Sequence, residues 1–287
     1  MQFPNETPDG KDIPAVLTSY FADLPTRGFR EVMERPFFSI AKGKRAKPIE
    51  YVETRDDSSI SIRIENKTGV GIATIWDHDV MLWATSQIMD ILNRGQKPSP
   101  RLRFHMNELL RSIGRTDKRG KADGPRYEEL RAALERLRTT SVVIVTTEQH
   151  GNKEKRARVV FTWLDSIGDV REDGEPDQAE FTLSRWFYQG ITAGKVLAID
   201  PAYFSLTGGL ERMVYLIARK HCGRQPEWRI KPDRLQAKTG SEDARKGFMF
   251  KLRKLAQADT LPGYAMTLED DAAVVVFRPR TVANAAT

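Results

Sequence analysis

Four histidines, one cysteine and a scatter of carboxylates are the residues of this 287-residue chain that could do covalent or metal chemistry. His78, His105, His150 and His221 form no i, i+4 pair and have no cysteine partners, so no metal cage is spelled out. Cys222 is alone, which excludes an intramolecular disulfide and leaves a small core residue on a helix as its simplest role. "GITAGKV" (residues 190–196) has three residues between its glycines where a phosphate loop has four, and Val196 where Ser or Thr should follow the lysine. The "GVG" at residues 69–71 belongs to a turn. No G-x-S-x-G elbow is present, and no His-hydrophobic-His pair with a nearby tyrosine suggests strand nicking. Residues 165–180 are dense in carboxylates, but a Gly/Pro-rich loop offers no dry pocket to shift a pKa. The sequence therefore predicts no enzyme, no cofactor and no metal.

Cations carry the remaining chemistry. The chain holds 46 Lys+Arg against 39 Asp+Glu, a net charge of +7. Residues 94–158 contain 17 basic and 8 acidic residues, and residues 219–254 contain 12 and 4. Between them, residues 165–180 hold seven acids and one arginine. Two basic blocks around an acidic stretch create local fields that attract polyanions. Guanidinium groups can pair with guanine edges in parallel, and ammonium groups can grip phosphate. A solvated surface that mixes signs is the competing reading.

Elements that could position these cations are legible in the hydrophobic pattern. Residues 1–35 are Pro-punctuated and weakly patterned, expected to be partly flexible. Lys42, Lys44, Arg45 and Lys47 beside Phe37 and Phe38 suit either an arm along a phosphate backbone or a leader whose two rings pack on the body. Alternation over residues 58–76 around "NKTG" predicts a β-hairpin. A helix from Asp77 to Gly95, a strand "RLRFH", a short helix "MNELLRSIGR", a basic loop and a helix "PRYEELRAALERLRTT" follow. Two β-branched strands joined by "QHGNKEK" close the series. The order recurs after residue 210: a helix, a strand "EWRIK", a short helix ended by Gly240, a helix capped by Ser241 or Asp243, then two strands around "LEDD".

The pattern predicts an α+β fold with two tandem winged-helix domains, preceded by an N-terminal arm and β-hairpin. The expected divisions are an arm over 1–57, a first winged helix over 58–165 including the hairpin, an acidic linker over 166–180, and a second winged helix over 181–287. Leu130, Leu134 and Leu137 recur at i, i+4, i+7 and must face the core, as must Phe248, Leu252 and Leu255. On the first recognition helix that turns Glu128, Arg131, Ala132, Glu135 and Arg138 outward, with Arg126 near its start. Arg115, Lys118, Arg119 and Lys121 in the preceding loop, and Lys153, Lys155, Arg156 and Arg158 on the expected wing, would hold phosphates. On the second, Ser241 at the entry and Arg245, Lys246, Met249 and Arg253 on the outer face would meet DNA, with Lys238 and Lys251 as phosphate contacts. The acidic second turn is a poor phosphate clamp.

"LPTRGFREVMERPFFSIAKGKRAKPIEY", "GIATIWDHDVMLWATSQIMDILNRG" and "PSPRLRFHMNELLRSIGR" resemble the plasmid replication initiator protein A family. The resemblance runs from about Leu24 to beyond Leu255. It implies a sequence-specific initiator that binds repeated double-stranded DNA sites (iterons) at an origin, opens adjacent AT-rich DNA and recruits the host initiator and helicase. It further implies tandem winged helices, the first also dimerising and the second supplying much of the affinity, with a homodimer in equilibrium with monomer. A winged-helix transcriptional repressor is the alternative, and a protein-binding module with an incidental basic face is a third reading. No apolar run reaches the ~20 residues of a membrane span, and no secretory signal opens the chain, so a cytoplasmic protein is expected.

Overall fold

Two phenylalanines decide how the leader behaves. In the computed structural model, which describes residues 24–150, 153–170 and 178–280, Phe37 and Phe38 are both buried, with Phe29, Val32 and Met33. From residue 24 onward the expected arm is therefore part of the body, and the part before it lies outside the described residues. Strand β1 (Arg27–Phe29) pairs antiparallel with Val196–Ala198, far along the chain, and a 3-10 turn (Val32–Glu34) follows.

The hairpin lies elsewhere than expected. β2 (Ile49–Arg55) pairs with β3 (Ser58–Asn66) around Asp56 and Asp57, so "IEYVETR" is the missing partner. It too alternates, burying Ile49 and Tyr51. The "NKTG" segment closes locally instead, with Asn66 Oδ1 accepting from the Thr68 N–H. Residues beyond it turn to the leader: the Ser39 N–H donates to the Ala73 carbonyl, and the Ile75 N–H to the Ser39 carbonyl.

Helix α1 (His78–Asn93) is buried over most of its circumference. β4 (Arg101–His105), α2 (Met106–Ser112) and α3 (Gly124–Thr139) follow, and Asp123 caps α3 by accepting from the Arg126 N–H. The next hairpin, β5 (Thr140–His150) and β6 (Lys153–Thr162), is not the wing that its position suggested. It joins β2 and β3 in a four-stranded sheet of order β2-β3-β5-β6. The acidic stretch supplies β7 (Leu164–Val170) and β8 (Gln178–Leu183), with residues 171–177 outside the described residues. These two strands pair with each other, and β8 pairs with β4. The described residues of the expected linker, 166–170 and 178–180, are thus sheet.

After α4 (Arg185–Thr192), β9 (Val196–Ala198) and a 3-10 turn (Pro201–Ser205), the second series runs α5 (Gly209–His221), β10 (Trp228–Ile230), α6 (Pro232–Thr239), α7 (Arg245–Ala258), β11 (Tyr264–Glu269) and β12 (Val274–Pro279). Its sheet has the order β10-β12-β11, first strand against last. The first series has the matching order β4-β8-β7. The two units therefore share one topology, helix-strand-helix-helix-strand-strand, and the first carries β5–β6 as an insertion.

The units are fused, not strapped together. Their buried side chains form one continuous cluster. Trp163, fully buried where β6 gives way to β7, stacks on Phe38 at 4.6 Å and meets Phe37, Phe161 and Phe187 edge-on. Such aromatic pairs stabilise beyond what their buried area alone contributes. Between the two units, Arg212 of α5 donates to both oxygens of the fully buried Asp79 of α1, at 2.8 and 2.9 Å. Gly209 admits this approach: a Cβ there would lie 2.1 Å from the Ile40 carbonyl oxygen. Cys222 is buried, as expected, against the Phe277 carbonyl. Among the described residues no helix is long and apolar enough to cross a membrane.

Candidate nucleic-acid interface

Helix α7 carries the most cationic exposed face among the helices described. Pro232 starts α6, and Gly240 at φ 67° ends it in the left-handed conformation that glycine tolerates. The chain then re-enters helix at Arg245 with Ala244 at the cap, so neither Ser241 nor Asp243 caps it as expected. Ser241 instead donates to Asp243 at 2.8 Å. Phe248, Leu252 and Leu255 are buried, as their spacing required. That leaves Arg245, Lys246, Phe250, Lys251, Arg253 and Lys254 exposed on a helix with no acidic residue. Arg245 pairs with Asp233 at 2.6 Å and Lys251 with Asp243 at 2.8 Å, whereas Lys246 and Arg253 have no acidic partner among the described residues. Lys254 lies over the Phe250 ring at 4.7 Å.

Two expected contacts of this unit are buried instead. Met249 is 8% exposed, since it follows Phe248 round the helix into the core edge rather than onto the outer face. Lys238 is 9% exposed and reaches the Glu34 carbonyl, with burial lowering its pKa against the pull of Glu53 and Glu34. It joins the unit to the leader and cannot meet phosphate.

Helix α3 buries Leu130, Leu134 and Leu137 in the same way. Superposing the two buried rows, Leu130 on Phe248 and onward, sets Glu128 opposite Lys246, Glu129 opposite Gly247, Ala132 opposite Phe250 and Glu135 opposite Arg253. The outer face of α3 is acidic where that of α7 is basic. Three of its four arginines are also engaged. Arg126 pairs with Glu129 and Arg131 with Glu128, each at 2.8 Å, and Arg136 makes two 2.7 Å bonds to Asp77. Arg138 is exposed. Arg115, expected at phosphate, donates instead to the Trp76 carbonyl at 2.7 Å and to Asp79 at 2.9 Å. It is a structural cation, because the short helix α2 delivers it to the buried carboxylate.

The other cations fall in separate places. Lys118, Arg119 and Lys121 are exposed in the α2–α3 loop. Lys153, Lys155, Arg156 and Arg158 are exposed on β6, a sheet edge outside the helix-and-hairpin unit in which the sequence predicts them. The β11–β12 turn is acidic as expected, and the β7–β8 turn, whose sequence is also acidic, lies outside the described residues. In the leader, Arg45 donates to the Gly240 carbonyl at 2.9 Å and so docks on the α6–α7 turn. Lys42 and Lys44, with Lys121 and Arg126, line a cleft of about 1030 Å³ between the leader, α3 and the entry to α5.

Sequence reasoning missed Phe250, Lys254 and the Asp79–Arg115–Arg212 cluster. Phe250 was detectable, since it stands off the buried i, i+4, i+7 row. The Asp79 cluster was not, because its members are separated by 36 and 133 residues.

Comparison with known proteins agrees with this architecture. Two solved structures of domains 2 and 3 of RctB are similar in fold. One gives a TM-score of 0.63 at 14% identity, covering 88% of this chain and 98% of that one. The other gives 0.57 at 12%, covering 88% and 97%. A "Putative replication protein" of Wigglesworthia glossinidia brevipalpis is 32% identical over 253 residues, 86% of each chain. The sequence profile of Replication initiator protein A matches residues 27–266. The chain belongs to the replication initiator protein A family.

Proposed function

We propose that this chain is a plasmid replication initiator that binds repeated sites in origin DNA as a duplex, through two winged-helix units in which α3 and α7 face successive major grooves. The observation that carries the proposal is the exposed, acid-free face of α7 on a helix held by a buried apolar row. In a helix-turn-helix the second helix enters the groove and its first turns reach base edges. Arg245, Lys246 and Arg253 supply hydrogen-bond donors there, and Lys251 and Lys254 flank them at phosphate distance. The mixed face of α3, with Arg126, Arg131 and Arg138 beside three glutamates, makes it the weaker reader. Lys118, Arg119 and Lys121 of its preceding loop contact phosphate. The cations of β6 add sequence-independent attraction. The protein works by binding, and recruitment of host initiator and helicase follows from the complex it builds.

A homodimer in equilibrium with the DNA-binding monomer belongs to the same reading. The four-stranded sheet has two edge strands without further partners among the described residues, and Val52 and Val160 stand exposed on it at 67% and 50%.

Fluorescence titration of the plasmid's own origin repeats against a scrambled duplex, across a salt series, tests the proposal. The expected result is at least ~10³-fold preference for the repeats with a steep salt dependence. Equal affinity for both duplexes refutes it. Replication of an origin-bearing plasmid separates an initiator from a repressor of the same fold.

A further inference from the structure

We propose that Phe250 is a specificity-determining residue, whose ring contacts the 5-methyl group of a thymine in the major groove. The inference rests on the reading of α7 as a groove-binding helix and names one base feature that it selects.

A lone exposed phenylalanine on a protein surface is ordinary. Three observations set this one apart. First, its helix needs no further apolar group: Phe248, Met249, Leu252 and Leu255 already fill the inner side. Phe250 is left 57% exposed. Second, cations ring it at helical spacing, with Lys246 four residues before, Arg253 three after and Lys254 four after, and Lys254 stands over the ring at 4.7 Å. An apolar ring inside a cationic frame fits a ligand that offers a methyl group among phosphates. Third, Gly247 lies one turn earlier on the same side. Among the described residues an added Cβ would meet only the Asp243 Cβ at 3.8 Å, so the packing there does not demand a glycine. A missing side chain at that point lets an external backbone come close.

Among the bases only thymine presents a methyl in the major groove, and apolar side chains recognise it there. The corresponding residue of α3 is Ala132, framed by Glu128 and Glu135, so this selection belongs to the second unit.

The test uses the full chain and a duplex carrying the repeat that the wild-type protein protects. Each thymine in the α7 half is replaced singly by deoxyuridine, which removes the methyl and keeps the pairing. One replacement should weaken wild-type binding about 3- to 10-fold. Phe250→Ala should bind the thymine and uracil duplexes equally, with affinity for the repeat lowered about 5- to 50-fold and with unchanged salt slope and unchanged affinity for scrambled duplex. Phe250→Leu should keep part of the discrimination. A thermal melt equal to wild type confirms that the variants fold, as expected for an exposed position. The proposal is overturned if every uracil effect persists in Phe250→Ala. It is equally overturned if that variant loses repeat and scrambled duplex by the same factor, or binds the repeat like wild type. A wild-type chain that prefers no duplex overturns the underlying reading as well, and so is distinguishable from failure at Phe250 alone.

Discussion

Replacing Asp79 by asparagine tests how the two units are joined. The carboxylate is fully buried and accepts from Arg212 at 2.8 and 2.9 Å and from Arg115 at 2.9 Å. Arg212 is itself buried, and its remaining donors go to the Leu206 and Phe204 carbonyls. Asparagine keeps the shape but removes the charge and turns an N–H₂ group toward a guanidinium. Two arginines that shared one oxygen would then face each other at roughly 5 Å, a repulsion of about 3 kcal/mol at an effective dielectric constant near 20. Breaking a buried ion pair by removing one partner costs about 3–5 kcal/mol in general, which agrees. Against a typical total stability of ~5–15 kcal/mol this is a large share. Urea denaturation should report that loss, with a fall in melting temperature of roughly 6–15 °C. The triple variant Asp79→Leu, Arg115→Met, Arg212→Met should recover most of it, because no charge is then left unpaired. A loss below about 1 kcal/mol for Asp79→Asn, or a triple variant no better than the single one, would refute the reasoning.

Acid should weaken the fold through two histidines. Burial, then Arg212, pushes His78 down to about 3, and burial, then Lys238, pushes His221 down to about 4. Both stay neutral when folded and take protons when unfolded below pH ~6.5, so stability falls as pH drops from about 6.5 toward 4, approaching ~1.4 kcal/mol per pH unit for each. Urea midpoints at pH 6.5, 5.5 and 4.5 measure this, and His78→Phe should roughly halve the slope. Gly247→Ala should stabilise the chain by up to about 1 kcal/mol in thermal melts yet weaken binding to origin DNA, and a gain in both would argue against close approach at that turn. Lys155→Ala should weaken all duplexes alike and flatten the salt slope by about one unit, whereas Arg245→Ala should weaken the repeats more than a scrambled duplex. Equal effects in that comparison would remove the division between helix and sheet edge.

Local pattern revealed helices far better than strand partnership. The rows Leu130, Leu134, Leu137 and Phe248, Leu252, Leu255 placed α3 and α7 and their buried sides, because a 3.6-residue period fixes a face without outside help. "SVVIVTTE" and "RARVVFTWL" read correctly as strands, yet nothing in them says that their neighbour is β3 rather than β4. Pairing is long-range, so local pattern alone puts the cationic hairpin in the wrong sheet and makes the acidic stretch a linker. Charge misled in a related way. Arg115 and Lys238 look like free cations in the sequence, and only the fold reveals the buried Asp79 and the Glu34 carbonyl that hold them. A single i, i+4, i+7 row leaves Met249 outside, whereas the buried stripe of α7 is wide enough to include it.

The most direct test is hydroxyl-radical footprinting of the origin repeats with the wild-type chain and with Lys246→Glu/Arg253→Glu. The proposed binding mode predicts two protected patches per repeat, ~10–10.5 bp apart, with the variant losing the α7 patch first as salt is raised. A single patch shorter than one helical turn, or two patches indifferent to the reversed charges, would contradict it.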